Sequence, residues 1–299
     1  MHCPRIPAPD SVLPVSMADG TLIHVRRYEA PGRPRLVVSH GNGLATDAYA
    51  PFWVPLIGDY EVIAFDVRNH GWNEVGDFER HSMPVFVWDF ERICEALATE
   101  CGEKPLFGAF HSLTSLVAIQ HVLRVPERWR ALALFEPPFS PPNGHPMEAG
   151  FLSAVRALAN RTRERQFRFE TEQQYFDLLR RVPRFDAIGD EGLAHFVRAT
   201  LSETANGFEL HCPREFEAKV YETNLDSTIG LAMPRFPIPG RIIGGDPSRS
   251  GAEGPSLICR ELSTRWQFGY EAIPNASHFL QLEQPGVCRE AMKRFFANA

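Results

Sequence analysis

Short, continuous apolar runs alternate with longer stretches of helical spacing along the first half of the chain. RLVVSH (35–40), YEVIAFDV (60–67), PLFGAF (105–110) and WRALALFE (129–136) each read as a strand, with helical patterns around 49–57, over 84–100 and over 113–122 between them. Uninterrupted apolar strands fit a sheet covered by helices on both faces, so the alternation predicts a parallel α/β sheet. Ahead of it, SVLPVSM and TLIHVRRYE flank Ala18-Asp19-Gly20, a turn sequence that predicts a β-hairpin. From about Pro137 the strand rhythm stops for roughly ninety residues, beyond ordinary loop lengths. MEAGFLSAVRALANRTR, TEQQYFDLLRRV, EGLAHFVRATLSET and PREFEAKVYETN carry helical patterns there, with Pro213 near a helix start. The segment reads as an inserted helical module, and its basic run from Arg161 to Arg168 as one solvated helix face. Strand rhythm returns with GRIIGG, a helix near 257–262, QFGYEAI and a terminal helix over 287–296.

Composition narrows the class of function. The 299 residues are 44% hydrophobic and 23% charged, which excludes disordered and fibrous compositions. A net charge of −6, from 31 Lys plus Arg against 37 Asp plus Glu, provides no field for a polyphosphate backbone, so no nucleic-acid partner is expected. The cysteines Cys3, Cys94, Cys101, Cys212, Cys259 and Cys288 form no CxxC pair and read as reduced structural thiols. His24, His81, His121, His145, His195 and His211 show no ligand spacing, so no metal is expected. Neither a P-loop nor G-x-G-x-x-G occurs, and no cofactor is expected. The N-terminus has no basic and apolar leader pattern, and no stretch approaches the length of a membrane span. These features predict a cytoplasmic protein without membrane contact and leave its oligomeric state, monomer or homodimer, open.

Chemistry concentrates at three places that follow strands. Ser112, in Phe110-His111-Ser112-Leu113-Thr114, lies where PLFGAF gives way to a helix, and a serine on such a turn can expose its hydroxyl above the sheet. Serine also caps helices, so position alone leaves both readings open. Ser39-His40-Gly41-Asn42-Gly43 follows RLVV, and its glycines allow close backbone approach. The backbone amides of Asn42 and Leu113 are the natural pair of donors for an oxyanion. Asn275-Ala276-Ser277-His278 follows the last strand-like run, and His278 can take the serine proton and return it to a leaving group.

Four segments in this order, SHGNG, FDVRNHG, FHSLT and SHFLQLEQP, resemble those of the α/β-hydrolase superfamily over nearly the whole chain. The resemblance implies an eight-stranded, mostly parallel sheet flanked by helices, with a helical cap inserted after the sixth strand. It sets the core at 1–136 and 232–299 and the cap at 137–231. The implied catalytic order is Ser112, an acid, then His278. Asp246, in GRIIGGDPS after the seventh strand, resembles the usual position of the acid and is favoured. Glu136, in LALFEPP after the sixth strand, is the rival. Family elbows usually read small-x-Ser-x-small, whereas this chain has Phe110 and Thr114: either the turn is relaxed or neighbouring residues have adjusted, with Gly108 and Ala109 suggesting space one step earlier. Asp66, Arg68 and His70 match a segment that organises nearby loops, and His111 matches a structural position. Relatives with an aspartate at the elbow form alkyl-enzyme esters; Ser112 implies an acyl-enzyme and cleavage of an ester, lactone or related acyl bond. Alternatives are C–C bond cleavage or lyase chemistry on this fold, or a binding protein with little turnover. Phe52, Trp53, Phe139, Phe151, Phe176 and Phe279 are candidates to line an apolar pocket.

Overall fold

The computed structural model of the chain describes residues 5–223, 225, 229–249 and 254–299; Cys3 lies outside them. Strands β1 (Ser11–Ser16) and β2 (Leu22–Tyr28) form the expected antiparallel hairpin, Ser16 facing Leu22 across the turn. The chain continues through β3 (Arg35–Val38), α1 (Ala50–Trp53), β4 (Glu61–Phe65), α2 (Met83–Cys101), β5 (Leu106–His111), α3 (Leu113–Val122) and β6 (Trp129–Phe135). After an insert come β10 (Gly240–Gly244), α9 (Pro255–Trp266), β11 (Gly269–Ala272), α10 (Leu280–Glu283) and α11 (Pro285–Phe296). These strands form one eight-stranded sheet in the order β1-β2-β4-β3-β5-β6-β10-β11. Only β1 with β2 and β2 with β4 pair antiparallel; from β4 to β11 the neighbours run parallel.

The apolar runs are continuous because both faces are covered, and alternate residues of one strand feed different cores. Ala131 and Ala133 of β6 face the side covered by α1 and α11, while Leu132 and Leu134 face the side covered by α2, α3 and α9. Along β3, Leu36 and Val38 take the first side and Val37 the second. All but one residue of α3 are buried, and it starts directly at the end of β5. Charge enters this interior where Arg35 of β3 lies opposite Glu61 of β4 in the register. The Glu61 carboxylate receives Arg35 Nη2 at 3.1 Å, Arg27 Nε at 2.6 Å and Lys104 Nζ at 2.8 Å.

Between β6 and β10 lie α4 (Glu148–Glu164), β7 (Arg168–Phe169), α5 (Glu172–Arg180), α6 (Asp190–Thr200), β8 (Leu201–Thr204), β9 (Gly207–Leu210), α7 (Arg214–Thr223) and α8 (Ile229–Ala232). The expected helices form, but the insert also holds a three-stranded antiparallel sheet, β7-β9-β8. EGLAHFVRATLSET splits at Thr200, after which Leu201–Thr204 turns back on Gly207–Leu210. Gly207 makes this hairpin possible: its φ is +119°, and a Cβ there would lie 2.4 Å from the Phe169 carbonyl oxygen. The basic run is not one solvated face, because α4 ends inside it. Arg163 pairs with Glu222 and Arg168 with Glu209, while Arg161 and Arg165 turn toward an internal cavity.

Candidate active site

The carboxyl ends of β3, β5, β6 and β10 surround one spot. At the end of β5, Ser112 has φ 51° and ψ −114°, a strained conformation for a residue with a Cβ, held by Ser112 N–H donating to Phe135 O at 2.9 Å. The turn is therefore a sharp elbow despite Phe110 and Thr114. Phe110 points away from it, packing on Phe90 and Trp129 at centroid distances of 5.4 and 5.5 Å. Its space is found at Gly108, where a Cβ would come 2.4 Å from the Phe110 ring. Thr114 is buried, its hydroxyl donating to His111 O at 3.2 Å.

His278 follows β11 and turns its ring over the elbow. Its Nε2 lies 3.2 Å from Ser112 Oγ and its Nδ1 lies 3.3 Å from Glu136 Oε2. Glu136, fully buried just past β6 with φ 47°, takes its other oxygen to the Gly245 N–H at 2.6 Å. Gly244 and Gly245 make room for this reach: a Cβ on the first would lie 3.2 Å from Glu136 Oε1, and on the second 2.6 Å from Ser277 O. The favoured carboxylate is thus not the one on His278. Asp246 sits two residues past β10, one oxygen accepting from Ser248 N–H and Oγ–H at 2.9 and 2.7 Å, the other from Asn275 N–H at 2.9 Å. Those bonds hold its carboxyl below the usual carboxylate range.

The amides of Asn42 and Leu113 have no hydrogen-bond acceptor among the described residues, and both residues line the cavity above Ser112. Gly41 brings the Asn42 loop close, since a Cβ there would lie 2.8 Å from His111 Nδ1 and 3.2 Å from Ser112 Cβ. A buried relay joins this loop to the histidine loop. Gly41 N–H donates to Tyr49 Oη at 3.1 Å, Tyr49 Oη–H faces His111 Nδ1 at 2.7 Å, and His111 Nε2–H faces His278 O at 2.8 Å. Burial, with His278 alongside, pushes His111 well below the usual histidine range, so one proton on Nε2 satisfies the whole chain. Sequence reading placed His111 as structural and missed Tyr49, whose contribution depends on packing across 62 positions of chain. Asp66, Arg68 and His70 tie loops, as expected. Asp66 accepts Thr46 N–H at 2.6 Å, Arg68 forks onto Asp89 at 2.7 Å, and His70 Nε2 receives the Gly43 N–H at 3.1 Å.

The cavity has a volume of about 710 Å³ and reaches from Ser112 into the insert. Of the expected aromatics, Phe151 and Phe279 line it, joined by Tyr175, Phe185, Phe196 and Tyr221. Phe52, Trp53 and Phe139 pack instead on Phe135, Tyr28 and Trp266, and Phe176 lies under Arg180. His70 and His81, with the distant Cys212, bring one ligand-capable atom each to within 4.8 Å of one another. Both His70 nitrogens already have partners, and burial with Lys219 and Arg68 nearby pushes His81 down to about 3, surroundings that oppose a dication. No helix among the described residues is long and apolar enough to cross a membrane.

An eight-stranded sheet of this order, with a serine elbow after β5 and a histidine after the last strand, is an α/β-hydrolase fold. The chain belongs to the alpha/beta hydrolase family, whose model matches residues 36–291. Among curated protein sequences none matches it. Its structure is similar to that of E-2-(acetamidomethylene)succinate hydrolase, with TM-score 0.76 and 18% identity over 96% of this chain and 99% of that one. It is also similar to the thioesterase domain from the curacin biosynthetic pathway (TM-score 0.73, 16% identity, 95% and 98% covered). A thermophilic esterase from Thermogutta terrifontis gives TM-score 0.66 and 18% identity, with 96% and 98% covered.

Proposed function

We propose that this chain is a serine hydrolase that opens a small carboxylic ester, lactone or related acyl substrate through an acyl-enzyme on Ser112. The hydrogen-bonded series Ser112, His278, Glu136 carries the reading. With Nδ1–H donated to Glu136, His278 presents Nε2 as an acceptor. Ser112 Oγ attacks the acyl carbon as its proton passes to Nε2, and the carbonyl oxygen, now an oxyanion, meets the amides of Asn42 and Leu113. The imidazolium formed is stabilised by Glu136 and returns its proton to the leaving oxygen, whose bond to the acyl carbon breaks. Water then attacks the acyl-enzyme, giving one proton to His278, which restores it to Ser112 as the acid leaves. In this reading residues 137–231 form a cap that roofs the reaction and selects small substrates. The hydrolase, thioesterase and esterase with similar folds are in keeping with acyl chemistry. A fluorophosphonate probe should label Ser112 stoichiometrically, and S112A should lose both labelling and turnover of short p-nitrophenyl esters. A folded sample that neither labels nor cleaves would overturn the proposal.

A further inference from the structure

The cavity wall from the insert changes character along its length. On α4 the positions facing the cavity are Phe151, Ala154, Val155, Leu158 and Arg161, a spacing that keeps one helix face over about 15 Å, with Arg165 just past the helix end. The end of α5 and the turn that follows it repeat the change, from Leu178, Leu179 and Val182 to Arg184. Both walls run from apolar to basic. A third element, the loop after β10, adds Arg249, which donates to Asn275 O. Among the described residues Glu217 is the one carboxylate lining this cavity, and it is engaged: Arg165 forks onto it and Tyr221 Oη–H donates at 3.1 Å. Arg161 and Arg184 have no carboxylate within ion-pair distance among the described residues, and the Arg165 Nε–H is buried without an acceptor. In a chain of net charge −6, this is a local excess of cations around an apolar chamber.

Resting on the serine-hydrolase reading, we propose that the substrate is itself anionic: an apolar acyl chain or leaving group ending in a carboxylate or phosphate that Arg161 and Arg184 receive. Guanidinium groups match the planar oxygens of such groups, and apolar walls leave the rest of the ligand without polar recognition. Arg161 and Arg184 are exposed at the cavity edge, so the gain is moderate and sensitive to salt.

Two matched substrate series test this. Half p-nitrophenyl esters of four- to ten-carbon diacids, against esters of the matching monoacids, place the anion on the acyl side. Octanoyl-coenzyme A against the N-acetylcysteamine thioester places phosphates on the leaving side. In at least one series the anionic member should have kcat/KM about tenfold higher. The ratio should fall toward one at high salt and in the double variant R161Q/R184Q, and stay unchanged in R92Q, an exposed arginine on α2. A ratio near one throughout, or one indifferent to R161Q/R184Q, overturns the proposal. Calorimetry on S112A with ethyl half-esters and ethyl monoesters, and with the thioester pair, reads the same preference without turnover. If Ser112 neither labels nor cleaves, the hydrolase reading fails, and the presence or absence of this binding preference alone decides the anion.

Discussion

The floor and the roof of the cavity are built by opposite rules. On the floor, supplied by the ends of the sheet strands, the side chains beneath and beside Ser112 have dedicated partners, and the Asn42 and Leu113 amides are left open toward the cavity. Glu136 divides its two oxygens between His278 and Gly245, and the Tyr49–His111 relay ties two loops together without a spare proton. On the roof, supplied by the insert, an apolar stripe ends in guanidinium groups, two of which have no carboxylate partner among the described residues. Satisfied buried networks hold one geometry, which suits bond-making; unsatisfied edge charges accept ligands, which suits selection. Substitutions on the floor should therefore act on kcat, and those on the roof on KM or on how the insert is held.

The sharpest break in that division is at the carboxylate beneath His278. E136Q keeps the shape but offers a neutral amide to Nδ1, removing the charge that stabilises the imidazolium. It should lower kcat about a thousandfold or more, with a small change in KM. A loss under tenfold would show that the floor does not work through Glu136. Next in size is Y49F, which strips the acceptor from Gly41 N–H and the donor from His111 Nδ1 while leaving Ser112, His278 and Glu136 in place. Since this moves the Asn42 loop and not the nucleophile, kcat should fall about ten- to a hundredfold, with fluorophosphonate labelling of Ser112 still complete at long times. Unchanged kcat would reduce the relay to packing.

On the roof, Glu217 holds the insert to the core: its carboxylate lies over Gly43, its carbonyl accepts Asn42 Nδ2 at 2.8 Å, and it pairs with Arg165. E217Q leaves Arg165 without its counter-charge. With that side chain 27% exposed, water screens part of the loss, and stability should fall by about 1–2 kcal/mol, or a few degrees in Tm. KM should change more than kcat. The reverse would place Glu217 with the floor.

How far each region could be read from sequence follows the same line. Ser112, His278, Asn42 and Leu113 come together around one cavity at the strand ends where strand rhythm and chain order predict turns, because a strand-to-helix turn and a glycine-rich loop are local structures written in consecutive residues. The acid is not local. Glu136 and Asp246 both follow strands, and what separates them is that β6 and β10 lie side by side, with the glycines at 244 and 245 clearing the path for the longer side chain. The signal available was Glu136 itself, a charge directly after the apolar run Ala131 to Phe135. For the arginines, the phase of α4 was legible, since Arg161 continues the spacing of Phe151, Val155 and Leu158. Reading the basic run as a single face hid it. The aromatic lining was not legible at all, because which Phe reaches the cavity depends on how separate elements pack.

Glu61 offers a control that concerns stability and not the cavity. Burial opposes its charge, but Lys104, Arg35 and Arg27 donate to it and pull its pKa from 4.5 to about 2. A carboxyl lowered in the folded state stabilises fully above its unfolded value and loses that contribution as pH falls toward the folded one. The urea midpoint should therefore decline between about pH 4.5 and pH 2, and E61Q, weaker at neutral pH, should show a shallower decline over that window. An identical slope in both proteins would assign the acid sensitivity elsewhere.

The smallest expected effect is the most discriminating for the floor. D246N alters a half-exposed side chain whose oxygens bind Ser248 and Asn275, three residues before His278. An amide can keep one of those acceptors and must give up the other, so the loop carrying His278 loosens slightly while Glu136 and its hydrogen bond are untouched. The loss in kcat/KM should stay within about threefold and stability within about 0.5 kcal/mol. E136Q and D246N each remove one negative charge, but only the first takes it from the hydrogen-bond acceptor of His278 Nδ1, so their ranking identifies the carboxylate that works on the histidine. A D246N loss equal to or larger than that of E136Q would mean that the His278 loop turns toward Asp246 during turnover.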